Sequence, residues 1–368
     1  MIHPRGNPQS PVWVITDEPF PKDYAHGTIY SSGLGYIFDK AWKDAGINAA
    51  PFIGFLTDPH NPIKCPIEID FKVYLDVLEL YKPPIICTVG EKVTALFCPE
   101  TSRRKKGVAT DESSLEKWAG SLLTSQYVSF PHYCIPILSP DKLAANYEYR
   151  FVYVNVDLGR VRDELNHFLL HGVLQSLPEY LILTDPTYDE LISILYDFYK
   201  APILGCDIET IRPPKGSKLF GKHPGYTYLL ALADRPDRGV SFCLWNYTTD
   251  QTIKLFQVLD DLLDNVPQVG QNYFTFDSHY IKALGFRMCL SKCQDTMLRH
   301  QILWPELPHK LQFLTKHYTR QPYYKDEGKF GSPRNLKPWM HYNAMDAIIT
   351  RNVYFAQEEE FNDRPYLR

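Results

Sequence analysis

The chain has 368 residues, enough for two ordinary domains with buried cores, and its 44% hydrophobic and 22% charged content suits a soluble globular fold. No apolar run approaches bilayer-spanning length and the start, Met1-Ile2-His3-Pro4-Arg5, has no signal-peptide core, so a cytoplasmic protein without a membrane partner is expected. The formal net charge of −4 does not advertise nucleic-acid binding, and eight cysteines without a Cys-x-x-Cys pair argue against a structural zinc or iron–sulfur site.

Val12 to Thr16 is an apolar run that delivers Asp17-Glu18-Pro19-Phe20 into a loop. A small-residue turn, His26 to Gly35, leads to a helix over Tyr36 to Ala45, with Ile37, Phe38, Ala41 and Trp42 on one face and Gly46 at its end. A strand over Ala49 to Leu56, a loop with Pro59, Pro62 and Pro66, and a helix from about Ile69 to Tyr81 follow. Ile85 to Val89 reads as a third strand ending in Gly90 before another helix, and Tyr133 to Leu138 as a fourth ending in Ser139-Pro140. Strands alternating with helices predict an α/β domain, a parallel sheet covered on both faces. Arg103-Arg104-Lys105-Lys106 is read as a solvated loop. We place this domain at residues 1–150 and a linker with one helix (Leu158 to Leu174) at 151–180. His167 and His171, four apart on that helix, lack a third ligand and are read as solvated or capping.

In the second domain, residues 181–368, a strand ending at Thr184 and an amphipathic helix over Asp189 to Tyr199 lead to Ile203–Thr210. As a strand, this stretch puts Leu204, Cys206 and Ile208 on one side and Asp207 and Glu209 on the other. Two same-face carboxylates repel, and a hard divalent cation gives a reason to place them together. A basic turn from Arg212 to His223 follows, then paired strands over Tyr226 to Ala233 and Gly239 to Trp245, and a helix over Thr252 to Leu263. Asn272-x-x-x-Phe276-Asp277 opens a further helix, and Tyr342-x-x-x-Asp346 lies inside another, with Tyr342 and Asp346 on one face. Between them, Tyr318, Tyr323, Tyr324, Lys325 and Lys329 interleave aromatic and basic residues in a way that suits a single nucleic-acid strand.

On these three motifs, with Cys293-Gln294-Asp295-Thr296-Met297 and Pro305-Glu306-Leu307-Pro308 between the last two, residues from about 180 to 368 resemble the 3′–5′ proofreading exonuclease domain of family A DNA polymerases. That is the Asp-Glu-Asp-Asp class with a tyrosine in its third motif. The resemblance implies a ribonuclease-H-like mixed sheet with flanking helices, and two Mg²⁺ or Mn²⁺ ions that hydrolyse a phosphodiester. It implies that Asp207 bridges both ions, Glu209 and Asp346 complete one ion's site, Asp277 holds the other ion, and Tyr342 orients the attacking water. Thr210, Asn272 and Phe276 are expected to contact the substrate, with Lys215 and Lys218 of the basic turn at its phosphates. The expected substrate is a single-stranded or frayed DNA 3′ end, and the expected partner a DNA polymerase domain or subunit.

The first domain resembles the uracil-DNA glycosylase superfamily, nearest its family 4 branch. Thr16-Asp17-Glu18-Pro19-Phe20 stands at the water-activating motif, Gly27 to Gly35 at the Gly-rich segment, and Ser139-Pro140-Asp141 at the His-Pro-Ser motif. Asp17 or Glu18 is thereby expected to activate water and Tyr30 to stack on a flipped base, while Ser139 replaces the catalytic histidine. That replacement and the absent N-terminal cysteine pair mark the domain as degenerate. Three other readings stay open: an RNA-trimming exonuclease on the same motifs, a non-catalytic DNA-binding module, and a working uracil glycosylase in the first domain.

Overall fold

Val12–Thr16 (β1) is buried at every position, as a strand covered on both faces must be. The computed structural model describes residues 2–56, 67–105, 108–145, 147–212, 215, 225–330, 332–364 and 366. After β1 come Phe52–Phe55 (β2), Ile85–Val89 (β3), a hairpin of Ser102–Lys105 (β4) and Val108–Ser113 (β5), and Tyr133–Ile137 (β6). β2, β1, β3 and β6 lie side by side in that order, every pair parallel. The helices of this unit are Gly33–Asp44 (α1), Ile67–Tyr81 (α2), Glu91–Phe97 (α3), Leu115–Trp118 (α4), Pro140–Ala145 (α5), Tyr147–Phe151 (α6) and Leu158–His171 (α7).

Strand alternation divides the apolar residues between two cores. Val12, Val14, Ile85, Cys87 and Ile135 pack with Phe38 and Trp42 of α1 and with Leu158, Val161 and Leu165 of α7. Trp13, Ile15, Ile86 and Cys134 pack on the other face with Phe71 and Leu78 of α2 and Val93 and Phe97 of α3. The expected linker at 151–180 is therefore corrected. Its helix is part of the first core, because its apolar stripe has the sheet to cover, and this unit runs to Leu177, taking Arg320–Pro322 with it.

The second unit, Pro178–Thr319 with Tyr323–Arg368, is built on a mixed sheet. Its strands are Leu181–Thr184 (β7), Leu204–Ile211 (β8), Tyr226–Arg235 (β9), Arg238–Cys243 (β10), Gln268–Gly270 (β11) and Gln294–Asp295 (β12), in the order β12-β11-β8-β9-β10-β7. β8, β9 and β10 form an antiparallel meander, while β11, β12 and β7 add in parallel. The helices are Tyr188–Phe198 (α8), Thr249–Asn265 (α9), Asp277–Ala283 (α10), Thr296–Leu303 (α11), Leu311–Tyr318 (α12) and Leu336–Asp363 (α13). Leu204, Cys206 and Ile208 face a core shared with α8 and α9. The opposite face carries α13, which approaches closely because the sheet is stripped of bulk there. Ala231 and Ala233 meet Ala347 and Ile348, and a Cβ at Gly205 would stand 2.1 Å from the Ala347 carbonyl oxygen. Tyr318, the first of the interleaved aromatic residues, closes α12. Among the described residues no helix is long and apolar enough to cross a membrane.

Candidate active site

β8 turns Asp207 and Glu209 toward α13, and each motif residue of the second unit reaches the same neighbourhood from a different element. β11 pairs with β8 only as far as Gly205, which leaves the next amides on that edge without a strand partner. Asp277, the first residue of α10 and 4% exposed, takes one of them: its Oδ1 accepts from the Ile208 N–H at 3.1 Å. α13 supplies Tyr342 and Asp346 from one face, and Asn343 one turn before Asp346. Asn343 donates its side-chain amide to Oδ2 of Asp207 at 2.6 Å and accepts from the Ser241 hydroxyl at 2.7 Å. The segment before α13 closes the other side. The Tyr324 hydroxyl donates to Oδ1 of Asp346 at 2.7 Å, and the Lys325 ammonium lies 2.5 Å from Oδ2.

The electrostatics follow from four carboxylates sharing little water. Burial pushes Asp207 well above the usual carboxylate range, and the charges of Asp346, Asp277 and Glu209 push it further, against the pull of Lys325. Glu209 is raised to about 7 by burial and then by Asp346, while Trp339 and Lys325 oppose the shift. Asp277 is also raised by burial first, against the Ile208 amide that favours its charged form. Burial and then the charges of Asp346, Asp207 and Glu209 hold the Tyr342 phenol far above its ordinary value, so it is no base at neutral pH.

The other expected contacts distribute unevenly. Asn272 adopts a left-handed turn (φ 59) with its own N–H donated to Oδ1 of Asp295 at 3.1 Å, and its side-chain oxygen accepts from Thr275. Phe276 precedes α10, partly buried, 4.9 Å from the Tyr280 ring centroid. Thr210 is partly buried on β8 and Lys215 is exposed. Lys218, with most of the basic turn, lies outside the described residues. Tyr324 and Lys325 were expected on a strand-stacking loop, and that expectation is corrected: Tyr324 is 4% exposed and both side chains point at Asp346. The buried Asp295, quoted only as part of a motif, accepts from the amides of Asn272, Phe274 and Met297 and so ties the Asp277 loop to α11.

In the first unit, Asp17 accepts from the amides of Lys92 and Val93 at 3.3 and 2.5 Å, the position of a cap on α3. Glu18 is exposed. Tyr30 is corrected as a base-stacking residue: it is 1% exposed, its ring stacked 5.0 Å from Phe20, so a base cannot reach its face in this conformation. Ser139 is partly buried, and its carbonyl accepts from the Lys142 amide at the start of α5.

The five motif residues of the second unit fall inside one stretch that matches a known family. Residues 187–360 match the 3′–5′ exonuclease family of DNA polymerase A type. The chain is thus a nuclease, a hydrolase, and exonuclease domains of the family matched over that stretch use divalent metal ions, generally Mg²⁺. No curated protein sequence matches the chain. Among solved structures, the M. smegmatis Pol1 POL domain is similar at 13% identity and TM-score 0.38, over 50% of this chain and 28% of that one. The Aedes aegypti Nibbler EXO domain is similar at 16% identity and TM-score 0.39, over 51% of this chain and 92% of that one. Escherichia coli RNase D, an exoribonuclease, is similar at 15% identity and TM-score 0.36, over 49% of this chain and 46% of that one.

The donor set suits a hard divalent ion: carboxylate oxygens, crowded enough that neighbouring charges raise Asp207 and Glu209, with the Lys325 ammonium drawn in against Asp346. Their present arrangement is not a finished cage. Among the described residues no three acidic, histidine or cysteine groups are set to hold an ion as they stand. Oxygens of Asp207, Asp277 and Asp346 are each engaged by internal donors.

Proposed function

We propose that the second unit is a metal-dependent 3′–5′ DNA exonuclease that removes nucleotides from single-stranded or frayed 3′ ends as part or partner of a DNA polymerase. The observation that carries this reading is the gathering of Asp207, Glu209 and Asp277 with Asp346 and Tyr342, close enough that the charge of Asp346 raises the proton affinity of the other three acids. Asp207, Glu209 and Asp346 would hold one ion, and Asp207 with Asp277 the other. When bound, two such ions supply Lewis acidity and an activated nucleophile for phosphodiester hydrolysis. The chain's own residues do the positioning. Asn343 restrains Asp207, Asp277 ties α10 to β8, and Tyr342, remaining protonated, donates a hydrogen bond to the attacking water. The test is digestion of 3′- and 5′-labelled oligonucleotides, single- and double-stranded, with Mg²⁺, Mn²⁺ or chelator. Metal-dependent shortening from the 3′ end, lost in Asp207→Ala, is expected; equal loss of label in that variant would end the assignment. Matched DNA and RNA 3′ ends in the same assay decide the substrate.

For the first unit we propose a glycosylase-type fold without base excision. Three features support this: Ser139 stands in place of the family's histidine, Asp17 is engaged by the α3 amides, and Tyr30 is buried. Uracil-containing DNA incubated with the Asp207→Ala protein should yield no abasic sites above buffer; a clear yield would reinstate the enzyme.

A further inference from the structure

Lys325 is a feature of this site that neither the motifs nor the nuclease reading accounts for. Its ammonium lies 2.5 Å from Oδ2 of Asp346 and 4.7 Å from the ring centroid of Tyr342. The segment carrying it is held in place on both sides. Tyr324 next to it is buried, with its hydroxyl on the other oxygen of Asp346. Gly328 lies flat against Tyr342, where a Cβ would come within 2.9 Å of ring atoms. Lys325 also favours the charged forms of Asp207 and Glu209. Its direct partner is Asp346, which the nuclease reading groups with Asp207 and Glu209 around one ion.

We propose that Lys325 is a tethered counter-ion of that group, and that a divalent ion binds there only by displacing its ammonium group. This rests on the metal-nuclease reading and adds to it an order of loading. Among the described residues no lysine or arginine forms an ion pair with Asp277, whereas the ion shared by Asp207, Glu209 and Asp346 would compete with the Lys325 ammonium. Lysine suits the role because its charge is compact and its stem flexible, so the ammonium can leave without unfolding the segment.

The experiment is Mn²⁺ binding to the full chain without DNA, read by calorimetry and by electron paramagnetic resonance. Wild type should bind one Mn²⁺ more tightly than a second. Lys325→Met, which keeps length and removes charge, should tighten the weaker event about tenfold or more, the scale on which one adjacent charge shifts a neighbour's cation affinity. Lys325→Arg should leave it weak, and Lys325→Gln repeats the measurement should the Met variant not fold. Unchanged or weaker Mn²⁺ binding in the neutral variants, with wild-type binding abolished by Asp207→Ala, would overturn the role of Lys325 alone. No Mn²⁺ binding in wild type and neutral variants alike would overturn the metal-nuclease reading with it.

Discussion

Asn343 holds Asp207 from behind: its side-chain amide reaches Oδ2 at 2.6 Å, and the same side chain is anchored by the Ser241 hydroxyl at 2.7 Å. Both Asn343 and Ser241 are fully buried, so neither can exchange its partner for water. Replacing Asn343 with Leu leaves the Ser241 hydroxyl without its acceptor and lets the Asp207 carboxylate turn. Loss of a partner that orients a metal-binding carboxylate typically costs about 10–100-fold in activity. Single-turnover digestion of a 3′-labelled strand by Asn343→Leu should fall in that range, and Asn343→Asp should be worse because it adds a fifth carboxylate. Activity within a factor of two of wild type would remove Asn343 from the site.

Asp207→Asn should stabilise the metal-free protein while destroying its activity. Asp207 is partly buried among three other acids, and its ionised form is disfavoured by burial and then by those charges. An amide removes the charge and still offers an oxygen to Asn343. Relief of about 1 kcal/mol would raise the midpoint of a unit this size by roughly 2–4 °C. A midpoint in chelator that is unchanged or lower contradicts the picture of an acid cluster whose mutual repulsion Lys325 only partly offsets.

Glu209 sets a pH window. Its carboxyl is raised from 4.5 to about 7, first by burial and then by Asp346. A raised value means that its contribution to stability is full below its unfolded pKa and is lost as pH climbs through about 7. Melting in chelator should therefore show a falling midpoint across that window, with a shallower fall in Glu209→Gln. Mg²⁺ favours the ionised carboxylates, so its stabilising effect should widen as pH rises. A gap between the Mg²⁺ and chelator curves that stays constant with pH would contradict this.

Asp17 should behave as a structural residue. Its carboxylate receives two amides at the start of α3, and Gly90, at φ 122, passes so close that a Cβ there would stand 2.3 Å from Oδ2. Asp17→Ala should cost about 1 kcal/mol, the usual value of a lost cap, and Gly90→Ala should cost more. Chemical denaturation of the two variants measures both, and unaltered stability in Asp17→Ala would reopen the residue to a catalytic role.

Much of the fold was legible because its signals are local. β1 and β3 are apolar but for one threonine each, and the Asp207 strand alternates; in α13 Tyr342 and Asp346 share a face by spacing alone. The linker helix was misread because its stripe of Leu158, Val161 and Leu165 is the same whether it packs on a neighbouring sheet or covers a connection. Tyr30 was misread because an aromatic at a turn looks alike in sequence whether it faces a ligand or a core. Asn343 was readable in principle, three residues from Asp346 on one helix face, but nothing local links it to Asp207.

The order of residues by itself determined which acids exist and on which face of their own strand or helix each projects, since periods of 2 and 3.6 need only neighbouring residues. Tertiary structure alone decided what those acids touch. Asn343 meets Asp207 across 136 residues of chain, and Lys325 meets Asp346 across 21. Such pairings are set by which elements the sheet brings side by side, and a buried charge takes whatever donor that packing leaves within reach.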